Sequence, residues 1–268
     1  MDKRPIGVFD SGLGGLTAVR ELEEILPGES VVYFGDTGRV PYGTRSREAV
    51  RRYARQDMAF LIAHDVKAVL AACGTVSSTS ADIGAQLPVP YFDVVAPTAR
   101  AAARATRNGK VGVTGTNASI HSGAYVQALK TADPAVQVYP MACPLFVPLV
   151  ESGFVSPEDP VTLLVAERYL ASLREAGVDV LILGCTHYPL LSLAISRVMG
   201  PGVTLIDSGK EAALALGEAL REKDLLCPPG IPRQAQYYVT DAPENFSAAA
   251  KLFLGHPVEG TRVDIEKY

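Results

Sequence analysis

The sequence predicts an α/β protein built as two similar lobes, each a largely parallel sheet flanked by helices, with a cleft between them. Three observations lead there. Short apolar runs alternate with amphipathic stretches along the whole chain, which is the pattern of repeated βαβ units. The runs are continuously apolar rather than alternating, as expected of strands covered by helices on both faces. Two of them, in VKAVLAACGTVSS (66–78) and VDVLILGCTHYPLL (178–191), end the same way, in a cysteine followed by a threonine-bearing turn.

Taken in order, IGVFD (6–10) is the first strand, and LTAVRELEEIL (16–26) carries apolar residues at helical spacing. SVVYF (30–34) is the second strand and runs into a polar, glycine-rich loop, GDTGRVPYGTRS (35–46). REAVRRYARQDMAFLIAH (47–64) is helical, and the arginines from Arg45 to Arg55 read as its solvated face. KAVLAA (67–72) delivers Cys73, and VPYFDVV (89–95) closes the first series of strands. A helix-rich stretch, TARAAARAT, follows Pro97 and marks a boundary. The second series is KVGVTG (110–115), VQVYP (136–140), VDVLILG (178–184) after the helix TLLVAERYLASLREAG (162–177), and VTLID (203–207). Right-handed crossovers place the helices on both faces of each sheet. Asp-Ser-Gly ends a strand at 10–12 and again at 207–209, a second sign of internal symmetry. The expected lobes are 1–97 with 208–268, carrying Asp10 and Cys73, and 98–207, carrying Glu151, Cys185 and His187.

Composition narrows the function. The 268 residues are 48% apolar, enough for two modest domains or one large α/β unit. A net charge of −4 and a pI near 5.6 disfavour nucleic acid as a partner. The N-terminal MDKRPIGVFD lacks a signal-peptide core, and no apolar stretch reaches the roughly 18 residues of a membrane span, so the cytoplasm is expected. None of the four cysteines, at 73, 143, 185 and 227, forms a C-x-x-C pair, which leaves a zinc site little support. No lysine follows a strand into a glycine turn, which disfavours a pyridoxal enzyme.

FDSGLGGLTAVREL resembles a dinucleotide fingerprint but has Thr17 where the third glycine belongs, and Asp10 at the strand tip would repel a pyrophosphate. The turn suits a carboxylate on its backbone N–H groups, with Asp10 as an acid-base partner or ammonium acceptor. The plainer alternative is Asp10 as a helix cap. Most cysteines are small buried hydrophobes, and Cys143 and Cys227 are read so. Cys73 and Cys185 differ, because each leaves a strand and enters a helix, where backbone donors and the helix dipole favour a thiolate. A hydrolase needs one nucleophile, not two equivalent ones. Inverting a stereocentre needs a proton taken from one face of carbon and another delivered to the opposite face, and two thiols, one per lobe, can do this in a cleft that excludes water. His187 is placed to share a proton with Cys185 or a substrate amine. Glu151 ends an apolar run and reads as an exposed helix or loop residue. TGTNAS (114–119) is suited to holding carboxylates through neutral donors.

At these residues the chain resembles the glutamate racemases. The resemblance runs nearly end to end and rests on IGVFDSGLGGLTAVREL, FGDTGRVPYG, AACGTVSS, VGVTGT, CPLFVPLVE, GCTHYPLL and IDSG. It implies a cofactor- and metal-independent enzyme that makes D-glutamate for peptidoglycan. Cys73 and Cys185 would be its two acid-base residues, the first serving the D- and the second the L-enantiomer. Asp10 would assist Cys73, and His187 and Glu151 would assist Cys185. Substrate contacts would come from Asp10, Ser11, Pro41, Tyr42, Gly43, Gly74, Thr75, Thr114, Thr116, Thr186 and His187. Gly74 departs from the family, where Asn often follows the first cysteine, and Asn117 stands where Thr is frequent. No N-terminal extension of the kind some members use for activator binding precedes IGVFD in this sequence, so no such regulation is expected. An aspartate racemase, or a related two-cysteine isomerase, shares the paired thiols and is the runner-up. A non-catalytic amino-acid-binding protein gains nothing from two oxidisable cysteines. The sequence leaves the oligomeric state open, a homodimer included.

Overall fold

The computed structural model describes residues 1–268. The first sheet begins with β1 (Ile6–Asp10), followed by α1 (Leu16–Ile25) and β2 (Val31–Gly35). The polar loop then leads through a 3₁₀ turn at Tyr42–Thr44 into α2 (Arg47–Ala63). Ser46 caps α2 by accepting from the Ala49 N–H at 3.2 Å, and Val50, Ala54, Met58 and Leu61 form its buried stripe. β3 (Ala68–Ala71), α3 (Gly74–Gly84) and β4 (Tyr91–Asp93) complete this series. Helix α4 (Val95–Ala105) then carries the chain across to the second sheet, running through residue 97.

The second sheet repeats the plan. It contains β5 (Lys110–Gly115), the helices α5 (Asn117–His121) and α6 (Ala124–Ala132), β6 (Gln137–Ala142), α7 (Phe146–Glu151), α8 (Pro160–Glu175), β7 (Val180–Leu183), α9 (Ser192–Met199) and β8 (Thr204–Asp207). Helix α10 (Ser208–Glu222) packs on both α1 and α4. The chain then adds β9 (Ala235–Val239), α11 (Pro243–Leu254) and β10 (Gly260–Arg262) to the edge of the first sheet.

All pairings are parallel, in the orders β10-β9-β2-β1-β3-β4 and β6-β5-β7-β8. β2-β1-β3-β4 and β6-β5-β7-β8 are therefore the same arrangement twice. The strand order reverses between β1 and β3, and again between β5 and β7, the points at which open α/β sheets bind ligands. Cys73 follows β3 and Cys185 follows β7, so the cysteine symmetry read in the sequence is real. The Asp-Ser-Gly symmetry is not. Asp10 ends β1, whereas Asp207 ends β8, whose counterpart is β4. Asp93 and Asp207 are the equivalent pair, and each caps the next helix. Asp93 accepts from the Val95 and Ala96 N–H groups at 2.7 and 3.2 Å, and Asp207 from Gly209 and Lys210 at 2.8 and 3.3 Å. VPYFDVV forms a strand only over Tyr91–Asp93 because Val95 already opens α4.

One apolar cluster of 38 buried residues includes Ile6, Leu16 and Val19 beside the first sheet and Phe146, Leu170 and Leu181 beside the second. The two sheets thus share a core instead of merely touching. Near the N-terminus, Lys67 and Glu29 form a buried ion pair at 2.5 Å. Cys227 is half-buried and only Cys143 is wholly buried, so the expectation of a small hydrophobe fits Cys143 alone.

Candidate active site

Both cysteines sit where backbone geometry holds them. Cys73 is the N-cap residue of α3 and is 5% exposed. Cys185 leaves β7 through Gly184 and is 6% exposed. A Cβ added at Gly74 would collide with the Gly184 carbonyl oxygen. The backbones beside the two thiols are thus in direct contact, and glycine at 74 is what permits it. Gly74→Ala is expected to force the strand exits apart. Overpacking costs about 1–3 kcal/mol of folding stability, read as a lower urea midpoint, and the displaced thiols should lower kcat/KM as well. Wild-type kinetics in this variant would show that the contact does not set the cleft.

The glycine turn after β1 makes a second contact between the lobes. A Cβ at Gly14 would strike the Thr186 hydroxyl and the His187 ring. Thr17, the residue that breaks the dinucleotide pattern, sits with its hydroxyl 2.9 Å from the Gly14 carbonyl and 3.0 Å from that of Thr186. It thereby ties α1 to the Cys185 turn. Across the cleft, the hydroxyls of Thr75 and Thr116 lie 3.0 Å apart.

The two thiols have different surroundings. Burial pushes Cys73 up to about 12, and the Asp10 charge adds to this, outweighing the Val76 N–H and the Ser11 hydroxyl. The Cys73 Sγ lies 3.6 Å from the Ser11 Oγ. Cys73 is therefore a protonated thiol at neutral pH. Cys185 lies 3.9 Å from His187 Nδ1, and His187 Nε2 lies 3.1 Å from Glu151. Burial alone would lower the His187 pKa, but hydrogen bonds to Cys185 and Glu151 and the charge of Asp10 raise it to about 10. The imidazolium is then placed beside the sulfur on which negative charge would develop. Asp10 is fully buried and its carboxyl is raised by that burial, against the pull of His187 and the Gly12 N–H.

The raised His187 pKa makes stability depend on pH. The unfolded imidazole releases its proton near 6.5, while the folded one keeps it to about 10. This contribution is complete below about 6.5 and is lost as pH rises towards about 10. Urea midpoints measured from pH 6 to 10 should fall more steeply for the wild type than for His187→Gln. Parallel curves would mean that His187 is neutral in the fold.

A cavity of about 360 Å³ opens between the lobes, with Cys73 and Cys185 both on its wall. Ser11, Pro41, Tyr42, Gly43, Gly74 and Thr75 line it from the first sheet's side. Thr116, Glu151, Thr186 and His187 line it from the other side. Two expected substrate contacts lie elsewhere. Thr114 is fully buried and spends its hydroxyl on the Ile182 carbonyl at 2.8 Å, inside the sheet. Asp10 does not reach the wall. Its oxygens take the Gly12 N–H at 2.9 Å and the Thr186 hydroxyl at 3.4 Å. Tyr42 lines the cavity, but its hydroxyl is turned to Asp36 and Asp57. Glu151 is exposed, as expected, ends α7 and bonds His187. Pro144, Val147 and Pro148 also line the cavity. CPLFVPLVE contained them, but nothing in their residue types marked them as wall.

A model of the Asp/Glu/Hydantoin racemase family matches residues 6–216. The chain is 47% identical over 256 residues to a glutamate racemase of Geobacter metallireducens, covering 95% of this chain and 94% of that protein. The fold is similar to the crystal structure of a Francisella tularensis glutamate racemase in complex with D-glutamate, with a TM-score of 0.93 and 38% identity over all of both chains. It is also similar to a Thermus thermophilus glutamate racemase in complex with β-chloro-D-alanine, with a TM-score of 0.89 and 46% identity, again over all of both chains.

Proposed function

The chain belongs to the Asp/Glu/Hydantoin racemase family, and on that premise we infer that it interconverts L- and D-glutamate by proton transfer at two cysteines. The observation that carries the two-cysteine reading is that Cys73 and Cys185, from equivalent strand exits of two sheets, line one cavity. From L-glutamate, the Cys185 thiolate takes the α-proton and the electron pair stays on the substrate as a carbanion. The Cys73 thiol then gives its proton to the opposite face, and D-glutamate leaves. The protonated state of Cys73 suits this direction. The reverse reaction exchanges the roles, and Asp10, a buried carboxyl close to the Cys73 side, assists proton removal there. His187, supported by Glu151, stabilises charge on Cys185. The neutral hydroxyls of Ser11, Thr75, Thr116 and Thr186 hold the two substrate carboxylates, and the Pro41–Gly43 backbone shapes the wall.

In the same reading, residues 1–97 with 208–268 and residues 98–207 are the lobes that close on the substrate. The product serves peptidoglycan synthesis in the cytoplasm, with neither membrane nor nucleic acid as partner. No helix is long and apolar enough to cross a membrane. The test is α-proton exchange of pure L- or D-glutamate in deuterated water, with EDTA and no added cofactor. Deuterium should enter Cα and the circular dichroism of the solution should decay to zero. Loss of activity on chelation would overturn the metal-free mechanism. Faster turnover of aspartate than of glutamate would overturn the substrate.

A further inference from the structure

Of the arginines read as a solvated face, Arg45, Arg47, Arg52 and Arg55 are exposed and Arg51 is partly buried. Arg51 is held by Asp82 at 2.5 and 2.7 Å. Arg45 and Arg47 are exposed and have no carboxylate within ion-pair distance. Together they line a second cavity of about 360 Å³. Ser78, Thr79, His121 and Ser122 share its wall, and no Asp or Glu does. The Ser78 hydroxyl is shielded from solvent and has no hydrogen-bond partner. His121 engages the Asn117 carbonyl through Nδ1 at 2.8 Å and leaves Nε2 unbonded.

This cavity backs onto the catalytic one. Thr44 lines the first cavity and Arg45 the second. On α3, Thr75 lines the first, and Ser78 and Thr79 the second. On α5, Asn117 lines the first and His121 the second. The two cavities therefore share three walls, and each is made by both lobes.

We propose that the second cavity binds a phosphate group, free or as a monoester, and that its occupation favours closure of the catalytic cleft. Two unpaired guanidiniums offer fork-shaped donors matched to phosphate oxygens. The Ser78 hydroxyl, which has no partner, adds a third donor, while Thr79 and Ser122 already donate to the Thr75 and Ser119 carbonyls. His121 Nε2 faces the same space and donates when the ring is protonated. A ligand that touches both lobes makes its full set of contacts only when they are closed, so it shifts the population towards the closed form. The effect on turnover rests on the racemase reading, but the binding does not.

Inorganic phosphate, and in a second arm glycerol phosphate, is titrated calorimetrically into the full chain with D-glutamate saturating, against chloride of equal ionic strength. Saturable binding at one site is expected, tighter for the ester if an organic group also fits the cavity. The Arg45→Ala/Arg47→Ala variant should bind at least about tenfold more weakly. Both arginines are exposed and unpaired, so its melting curve should match the wild type. Omitting D-glutamate should weaken phosphate binding, and equal affinity would refute the coupling to closure. No saturable binding of either probe up to about 10 mM, or undiminished binding in the double variant, would overturn the site. A chain that fails to racemise glutamate leaves the phosphate titration valid, so the two readings fail separately.

Discussion

Replacing either Cys73 or Cys185 by serine is expected to lower racemisation of glutamate by about 10²–10⁴-fold, the contribution of one positioned acid-base group. Serine preserves volume but is far less acidic than a thiol, so it neither removes nor returns the α-proton well. Binding should survive in both variants, because the carboxylates are held by hydroxyls and backbone groups that the substitution leaves in place. Each thiol serves one face, so the two losses are separable. A chlorinated glutamate needs only one deprotonation before chloride leaves with its electron pair. The Cys73→Ser protein should still eliminate chloride from the L-form through Cys185, and Cys185→Ser should act on the D-form through Cys73. Equal loss for both enantiomers in both variants, with binding intact, would make one thiol the base and the other its support. Full racemisation in either variant would remove that cysteine from the mechanism.

The largest effect expected on stability lies far from the cleft. Lys67 and Glu29 are both buried, with Nζ 2.5 Å from the Glu29 carboxylate. Lys67 also donates to the Asp2 carbonyl at 2.8 Å, and Glu29 accepts the Cys227 N–H at 2.7 Å. The pair thus joins the N-terminus, the residues before β2 and β3, and the segment after α10. Lys67→Met leaves a buried carboxylate without its counter-charge and should cost about 3–5 kcal/mol. Replacing both partners, Lys67→Met with Glu29→Leu, should recover most of that, since the loss comes from the orphaned charge more than from the pair. Urea denaturation of the single and double variants measures it. A single variant that loses under about 1 kcal/mol would show that Glu29 is solvated or protonated.

Strands buried on both faces were legible because their apolar runs are local. β1, β3, β5 and β7 all fall within such runs. β9 and β10 were not legible. AQYYV buries only Tyr237 and Val239, GTR buries none of its residues, and both lie at or next to the open edge of the first sheet, so no continuous run of buried residues marks them. Glu151 is exposed at a helix end, as its neighbours predicted, but its bond to His187 was suggested only by the resemblance. Its partner, His187, is 36 residues away, and neither residue's neighbours in the chain announce the bond. Thr114 was expected at the substrate because it lies in a hydroxyl-rich turn, but the strand continues to Gly115 and aims the hydroxyl at β7 instead.

The sequence by itself determined the α/β class, the two cysteines at matching strand exits and the chemistry that a pair of thiols implies. Those features depend on the order of neighbouring residues, and a strand that ends in Cys-Gly-Thr or Gly-Cys-Thr places its thiol at the sheet's carboxyl edge wherever the sheet lies. The tertiary structure decided which groups share the cavity. It buried Asp10 off the wall, brought Glu151 to His187, pressed Gly74 against Gly184, and set Arg45 and Arg47 in a second cavity behind the first. Each of these is a contact between distant segments, fixed by strand order and by the closure of one lobe on the other, and such contacts leave no periodic trace along the chain.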